Sequence, residues 1–247
     1  MRADAAAQLR LLDLQGLDTV LGQLAHRRRA VPQVAELASL DARAGELRDH
    51  EVAVRTAVSD LEREMAKAES DVAQVRERIA RDQAMLDAGS VASARQLEDL
   101  QHEIINLARR VSDLEDAELE VMEKLEDAQA RAAAATAALS ELAEQRQAAE
   151  RARDAAFADI DNEVARVEGE RARVAPEIPA DLLALYDRIR ASSGGIGAAP
   201  LHRGRCQGCQ LTLTPADLGR IRAEPDDEVV RCEECRRILV RIAESGL

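Results

Sequence analysis

Between Pro32 and Pro176 the sequence runs for 143 residues without a proline, and glycine occurs there only at positions 45, 89 and 169. Proline and glycine are the residues that most disfavour a helix interior, so this stretch can be almost wholly helical. Its apolar residues recur every seven positions, spaced three and then four. A first seam runs through Leu37, Leu40, Ala44, Leu47, Val54, Val58, Leu61, Met65, Ala68, Val72, Val75, Ile79 and Leu86, interrupted by Glu51 and Asp82. A second runs through Leu97, Leu100, Ile104, Leu107, Val111, Leu114, Val121, Leu125, Ala128, Ala132, Ala135, Leu139 and Leu142, with Glu118 in one seam position. It then decays through Arg146, Ala149, Arg153, Ala156 and Ile160. A heptad sustained this long is the pattern of a coiled coil.

The two seams are out of phase. Whole heptads counted from Leu37 make residue 100 an a position, whereas the second seam uses Leu97 as a and Leu100 as d. Asp87-Ala88-Gly89-Ser90 supplies a helix breaker between them, and Ser93-Ala94-Arg95-Gln96 fits a capping box that starts a new helix. Two arrangements satisfy this pattern. A stutter would give one continuous helix of roughly 215 Å that dimerises in parallel, and a reversal near Gly89 would give an antiparallel hairpin of roughly 80 Å from its tip to Pro32. The arms 5–86 and 94–174 contain 82 and 81 residues and would end level, which favours the hairpin. Folding it closed sets Ile79 near Ile104, Val72 near Val111, Val58 near Leu125 and Leu47 near Ala135. The Ala128, Ala132 and Ala135 section lets the helices approach closely. Residues 4–30 (Leu9, Leu12, Leu17, Val20, Leu21, Leu24) add an amphipathic helix that Pro32 kinks or ends. The weakly paired end of the hairpin, at Arg146, Arg153 and Glu163, is where this helix or a partner would pack.

Composition agrees with extended helix packing. The 247 residues include one Phe (Phe157), one Tyr (Tyr186) and no Trp, and one third are charged, so a large conventional core is excluded. The net charge of −13 opposes general binding to nucleic acid or anionic membranes by the chain as a whole. No stretch approaches the roughly 20 apolar residues needed to cross a bilayer, and the N-terminus lacks an apolar signal core, so a cytoplasmic protein is expected. The basic run His26-Arg27-Arg28-Arg29 is read as offsetting a helix C-terminal dipole.

Beyond Pro176 the character changes. Pro179-Ala180-Asp181 opens a short helix carrying Leu182, Leu183, Leu185, Tyr186 and Ile189, which Ser192-Ser193-Gly194-Gly195 ends. Gly194-Gly195-Ile196-Gly197 lacks the lysine of a phosphate loop and reads as a flexible joint. Short strands are expected at Leu211-Thr212-Leu213, Val229-Val230-Arg231 and Ile238-Leu239-Val240, with a helical turn from Thr214-Pro215 to Ile221.

All four cysteines lie in the last 42 residues, as Cys206-Gln207-Gly208-Cys209 and Cys232-Glu233-Glu234-Cys235. Each C-x-x-C can present two thiolates from one tight turn, and two turns complete the tetrahedral sulfur shell of structural zinc. Local disulfides, a redox-active pair and iron in place of zinc are the alternatives. Four thiolates leave no open position for water, so a structural ion is expected, and it would supply folding energy that a small module without aromatics lacks.

The segment Gly204 to Cys209, then Leu213-Thr214-Pro215 and Ile221, then Val229 to Leu239, resembles the bacterial C4-type zinc-ribbon family with an N-terminal coiled-coil hairpin. Leu11-Leu12-Asp13-Leu14-Gln15-Gly16-Leu17-Asp18 and the tip segment Ser93 to Ile104 resemble the same family. Arg236 departs from it, since the family usually places Gly after its last Cys. The resemblance implies proteins similar to adaptors linked with sigma factors and with flagellar or secretion components, in which contact of the ribbon with nucleic acid is often assumed. It implies no enzymatic activity.

The expected fold is therefore mainly α: an N-terminal helix and antiparallel hairpin over 1–175 with its tip near 87–93, a short helix and linker over 176–197, and a zinc ribbon over 198–247 with one structural zinc on Cys206, Cys209, Cys232 and Cys235. The function expected is a non-enzymatic adaptor that binds protein partners through the coiled coil, with the ribbon as a second contact site and no membrane or small-molecule substrate. His26, His50, His102 and His202 show no ligand spacing. The alternative is nucleic-acid binding through Arg203, Arg205, Arg236 and Arg237, which flank the two C-x-x-C turns. Against it, residues 198–247 hold eight Arg and eight acids and no aromatic residue on which a base could stack.

Overall fold

A computed structural model describes residues 1–90 and 93–247; Val91 and Ala92, inside the expected tip, lie outside the described residues. The chain runs α1 (Ala5–Arg29), α2 (Pro32–Asp87), α3 (Ala94–Val174), a single 3-10 turn (Ala175–Glu177), α4 (Ala180–Ser192), β1 (Ala198–His202), β2 (Arg205–Cys206), α5 (Pro215–Ala223) and β3 (Ile238–Arg241). Its contacts divide it into two compact units, residues 36–149 and residues 1–35 with 150–247.

The first of these is an antiparallel helix pair, as the heptads require. Arg76 pairs with Glu115 and Arg78 with Glu103 across the two helices, and at the far end Arg146 Nε meets Asp41 Oδ1 at 2.6 Å. Only antiparallel arms of one chain bring these residues together. Leu37, Ala44 and Val72 are buried on α2, and Ala128, Ala135, Leu142 and Ala149 on α3, the latter at intervals of seven. The tip signals act as expected. Gly89 adopts φ 61° just beyond α2, the Ser90 hydroxyl donates to the Met85 carbonyl, and Ser93 Oγ accepts from Gln96 N–H at the start of α3.

In the second unit Pro32 ends α1 and opens α2 at its first position, where a missing N–H is no loss. Helix α1 packs on the weakly patterned end of α3: Leu24, Val31, Ile160 and Val167 are buried together, with Phe157 against them. Arg28 lies over the Phe157 ring, 4.4 Å from its centroid, and pairs with Asp161, while Arg27 lies 3.7 Å from Glu163. The basic run at the end of α1 thus joins two helices as well as meeting its own dipole.

The sheet has the order β2-β1-β3. Strands β1 and β2 form a hairpin around Arg203 and Gly204, whose φ values of 48° and 69° fit the two-residue turn of a twisted ribbon. Strand β3 runs parallel to β1, pairing Ala198 with Ile238 through to Leu201 with Arg241. Two of the three expected strands shrink to single bridges, Arg205 with Thr212 and Arg231 with Ile238. Strand β1 was not legible because Ala-Ala-Pro has weak strand preference; what makes it a strand is burial between two cores.

Those cores lie on opposite faces of the sheet, as alternation along a strand demands. Ala198, Ile238 and Val240 join Leu11 and Leu14 of α1 and Leu182, Tyr186 and Ile189 of α4. Ala199, Leu201 and Leu239 join Ile221 and the cysteines. The ribbon therefore does not rely on metal alone, since one face is covered by two helices and by the only tyrosine in the chain.

Candidate metal centre and its seat

The two C-x-x-C turns have the same local construction. In the first, Gln210 N–H donates to the Cys206 carbonyl at 2.8 Å and Cys206 N–H to the Leu211 carbonyl at 3.0 Å. In the second, Arg236 N–H donates to the Cys232 carbonyl at 2.9 Å and Cys232 N–H to the Arg237 carbonyl at 3.0 Å. Each turn needs a left-handed residue four positions after its first cysteine, and Gln210 (φ 64°) and Arg236 (φ 61°) supply it. The arginine preceding each pair braces that residue: Arg205 Nε donates to the Gln210 carbonyl at 2.5 Å and Arg231 Nε to the Arg236 carbonyl at 2.9 Å.

Arg236 thus adopts the conformation that glycine would adopt without steric cost. A left-handed L-residue is strained by roughly 1–2 kcal/mol, partly offset by the chain entropy that glycine would lose. Arg236→Gly is expected to stabilise the metal-loaded protein slightly, by about 0.5 kcal/mol, in denaturant melts; destabilisation beyond 1 kcal/mol would show that the side chain matters more than the backbone.

The two turns face each other. Sγ of Cys206 lies 3.9 Å from that of Cys235, Sγ of Cys209 lies 3.9 Å from that of Cys232, and all four sulfurs are within 4.8 Å of one another. A disulfide requires about 2.0 Å. A zinc ion with bonds of about 2.3 Å has sulfurs about 3.8 Å apart at the tetrahedral edge, so the four cysteines fit one zinc ion. Burial pushes the Cys206 thiol up to about 12 against hydrogen bonds from the N–H groups of Cys209 and Gly208. Burial likewise raises Cys232. At Cys235 burial also raises the thiol, but the Arg237 N–H and neighbouring sulfur contacts outweigh it and the net direction is down. A zinc ion held by these sulfurs would offset the burial cost of the Cys206 and Cys232 thiolates.

Four residues singled out in the sequence as a basic face are placed differently from one another. Arg203 is exposed at the β1–β2 turn. Arg205 braces the first cysteine turn. Arg236 lies 3.5 Å from Glu233, which Arg220 also approaches at 3.3 Å. Arg237 is a clasp: its nitrogens donate to the carbonyls of Ile196 at 3.0 Å, Gly208 at 3.1 Å and Ser193 at 2.8 Å, tying the second cysteine turn to the first and to the end of α4. Arg241 spends its guanidinium in the same way, on the carbonyls of Glu224, Pro225, Asp226 and Glu228.

The seat beneath the sheet is polar and was not foreseen. Gln15 and Asp18 occupy the same face of α1 as Leu11 and Leu14, and both are buried. Asp18, with a fully buried side chain, accepts from Arg171 Nε at 2.8 Å and from the Tyr186 hydroxyl at 2.7 Å, and Arg190 lies 3.2 Å away. Gln15 accepts from Gly197 N–H at 2.7 Å and donates to the Gly195 carbonyl at 3.0 Å. A Cβ on Gly197 would lie 2.7 Å from both the Tyr186 ring and its carbonyl. The glycine segment is therefore a fixed connection and not a flexible joint. Two polar residues at core-facing positions of an amphipathic helix were the available signal.

Burial, followed by the hydrogen bond to Asp18, raises the Tyr186 phenol well above its ordinary value of 10.0. A folded-state value above the unfolded one contributes stability that is fully present below about pH 10 and is lost as pH rises toward the native value. Tyr186 is the only tyrosine and there is no tryptophan, so tyrosinate absorbance reports it alone. The native protein is expected to show no tyrosinate signal at a pH where the denatured protein is ionised; coincident titrations would contradict the buried hydrogen bond.

The family model of the CT398-like coiled coil hairpin domain matches residues 14–194, and that of the C4-type zinc ribbon domain matches residues 205–239. The chain belongs to the CT398-like hairpin family with a C4-type zinc ribbon. An uncharacterized protein of Mycobacterium tuberculosis is 39% identical over 242 residues, covering 98% of each chain, and one of Mycobacterium leprae is 32% identical, covering 88% of this chain and 93% of its own. A solved structure from Mycobacterium smegmatis is 36% identical, covers 98% of this chain and 100% of its own, and superposes with a TM-score of 0.86. CT398 of Chlamydia trachomatis, at 20% identity, a TM-score of 0.70 and coverage of 96% and 98%, shares the fold. Among the described residues, no helix is long and apolar enough to cross a membrane.

Proposed function

We propose that this chain is a non-enzymatic adaptor that binds protein partners through the coiled-coil hairpin, with the zinc ribbon as a second contact site. Its architecture is that of a structural, scaffold-like protein. The observation that carries the adaptor reading is the distribution of charge and exposed apolar surface. Residues 36–149 contain 26 acidic and 14 basic side chains, a net −12 of the chain's −13. The same helices expose Val52, Met85, Leu97, Ile105, Leu119 and Met122 to solvent. In the ribbon, by contrast, Arg205, Arg231, Arg237 and Arg241 are hydrogen-bonded to carbonyls.

The test uses the full zinc-loaded chain as bait. A partner recovered from cells is expected to be lost when hairpin surface residues are changed and retained when Arg203 and Arg236 are neutralised. Salt-sensitive retardation of DNA or RNA that disappears on neutralising those two arginines would replace the adaptor reading with the nucleic-acid one.

A further inference from the structure

Helix α3 carries an apolar flank that the hairpin leaves uncovered. With Leu97 as a, Ile105 and Leu119 both fall at b and Met122 at e, beside the seam and not in it. They are 50%, 52% and 37% exposed, whereas Ala128, at a seam position one turn and a half beyond Met122, is 7% exposed. From Ile105 to Met122 the flank extends about 26 Å along the helix, long enough to bed several turns of another helix. Only Ala108 and Ser112, both small, share that line with Ile105 before Glu115 interrupts it.

The setting of this flank determines what covers it. Residues 113–127 hold eight acids and one base, Lys124. Asp116 and Glu123 lie one helical turn from Leu119, and Glu126 one turn from Met122. The Arg76–Glu115 ion pair places α2 alongside this side of α3. Among the described residues, Asp116, Glu120, Glu123 and Glu126 have no ion-pair partner, whereas Glu115 pairs with Arg76 and Asp127 with Arg131. A second copy of the chain, a nucleic acid or an anionic surface would each bring more negative charge to a surface already dense in it.

Resting on the adaptor reading, we infer that this flank is the docking surface for a basic amphipathic helix of a protein partner. Apolar side chains on successive turns of that helix cover Leu119 and Met122 and reach toward Ile105, and its Lys or Arg residues meet Asp116, Glu123 and Glu126. Helix-on-hairpin packing supplies the affinity, and the acids supply partner choice and rate of encounter.

The probe is a fluorescent 18-residue amphipathic Leu/Lys peptide, with a scrambled peptide of the same composition as control, titrated by anisotropy into the full zinc-loaded protein. Leu119→Gln with Met122→Gln is expected to weaken amphipathic-peptide binding at least tenfold while leaving the helical circular dichroism and its melting unchanged. Val52→Gln, which alters another exposed apolar residue, is expected to leave binding as in the native protein. Equal binding of the scrambled peptide, or unchanged affinity in the double variant, would overturn the proposal. So would a native dimer in sedimentation that the double variant dissolves, since that would make a second copy the occupant. A cellular partner recovered in full by the double variant would keep the adaptor reading and remove this surface from it.

Discussion

Cys206→Ser is expected to release the zinc and to unfold most of residues 198–247, with Cys232→Ser doing the same. Each variant leaves three sulfurs around the centre, and structural zinc contributes on the order of 10 kcal/mol to folding a module of this kind. Cys206 and Cys232 are the two buried members of the four and pack directly with Leu201, Ile221 and Leu239, so the metal and the small core beneath it are lost together. The damage should extend into the neighbouring core, because Ile238 and Val240 on the same strand pack against Leu11, Leu14 and Tyr186. The helix pair of residues 36–149 holds its own seam and should remain helical. Metal analysis together with circular dichroism separates these effects: no bound zinc, a lower first transition and a preserved helical signal are expected. Full zinc retention with a folded ribbon in either variant would contradict the four-thiolate site.

Asp18→Ala is expected to produce the second large effect, a loss of about 3 kcal/mol. Removing one member of a buried ion pair costs about 3–5 kcal/mol because the other is left uncompensated, and the lower end applies here since Arg171 and Arg190 keep some access to water. The Tyr186 hydroxyl loses its 2.7 Å partner in the same step. Tyr186→Phe removes the hydroxyl's bond to Asp18 and its longer contact with Gln15 at 3.3 Å, and should cost about 1 kcal/mol, provided Asp18 keeps its arginines. The ordering of the two variants in denaturant melts is the informative result. A Tyr186→Phe loss as large as that of Asp18→Ala would locate the energy in the phenol and not in the ion pairs.

The hairpin was readable because its physics repeats. Every seven residues Leu, Val or Ala returns to the seam, the phase breaks once, and Gly89 and Ser93 punctuate the break, so arm length follows from counting and the level arms favour reversal over one continuous helix. The metal centre was readable because ligand chemistry demands four sulfurs in two tight turns. What could not be read depends on contacts between segments far apart in the chain. Gln15 sits in a recognisable motif, yet its role is set by the backbone of Gly195 and Gly197, about 180 residues away. Arg237 counts as one more positive charge in a composition argument, but its three bonds to carbonyls make it a structural clasp. Strand β1 is formed from Ala198, Ala199 and Pro200 because β3 and two cores surround it, and no local preference announces this.

The Arg237 clasp and the Asp18 network also bear on function. Both direct polar side chains inward, to hold α1, α4 and the cysteine turns as one body, which leaves the acidic hairpin helices as the surface with unmet apolar and charged groups. The measurement that tests this most directly is photo-crosslinking in cells with the full-length protein, carrying a photoreactive residue at position 119 on the hairpin or at position 203 on the ribbon. The account predicts a discrete protein adduct from position 119 that is reduced when Glu123 and Glu126 are changed to Gln. Adducts from position 203 alone, or adducts to nucleic acid in place of protein, would contradict it.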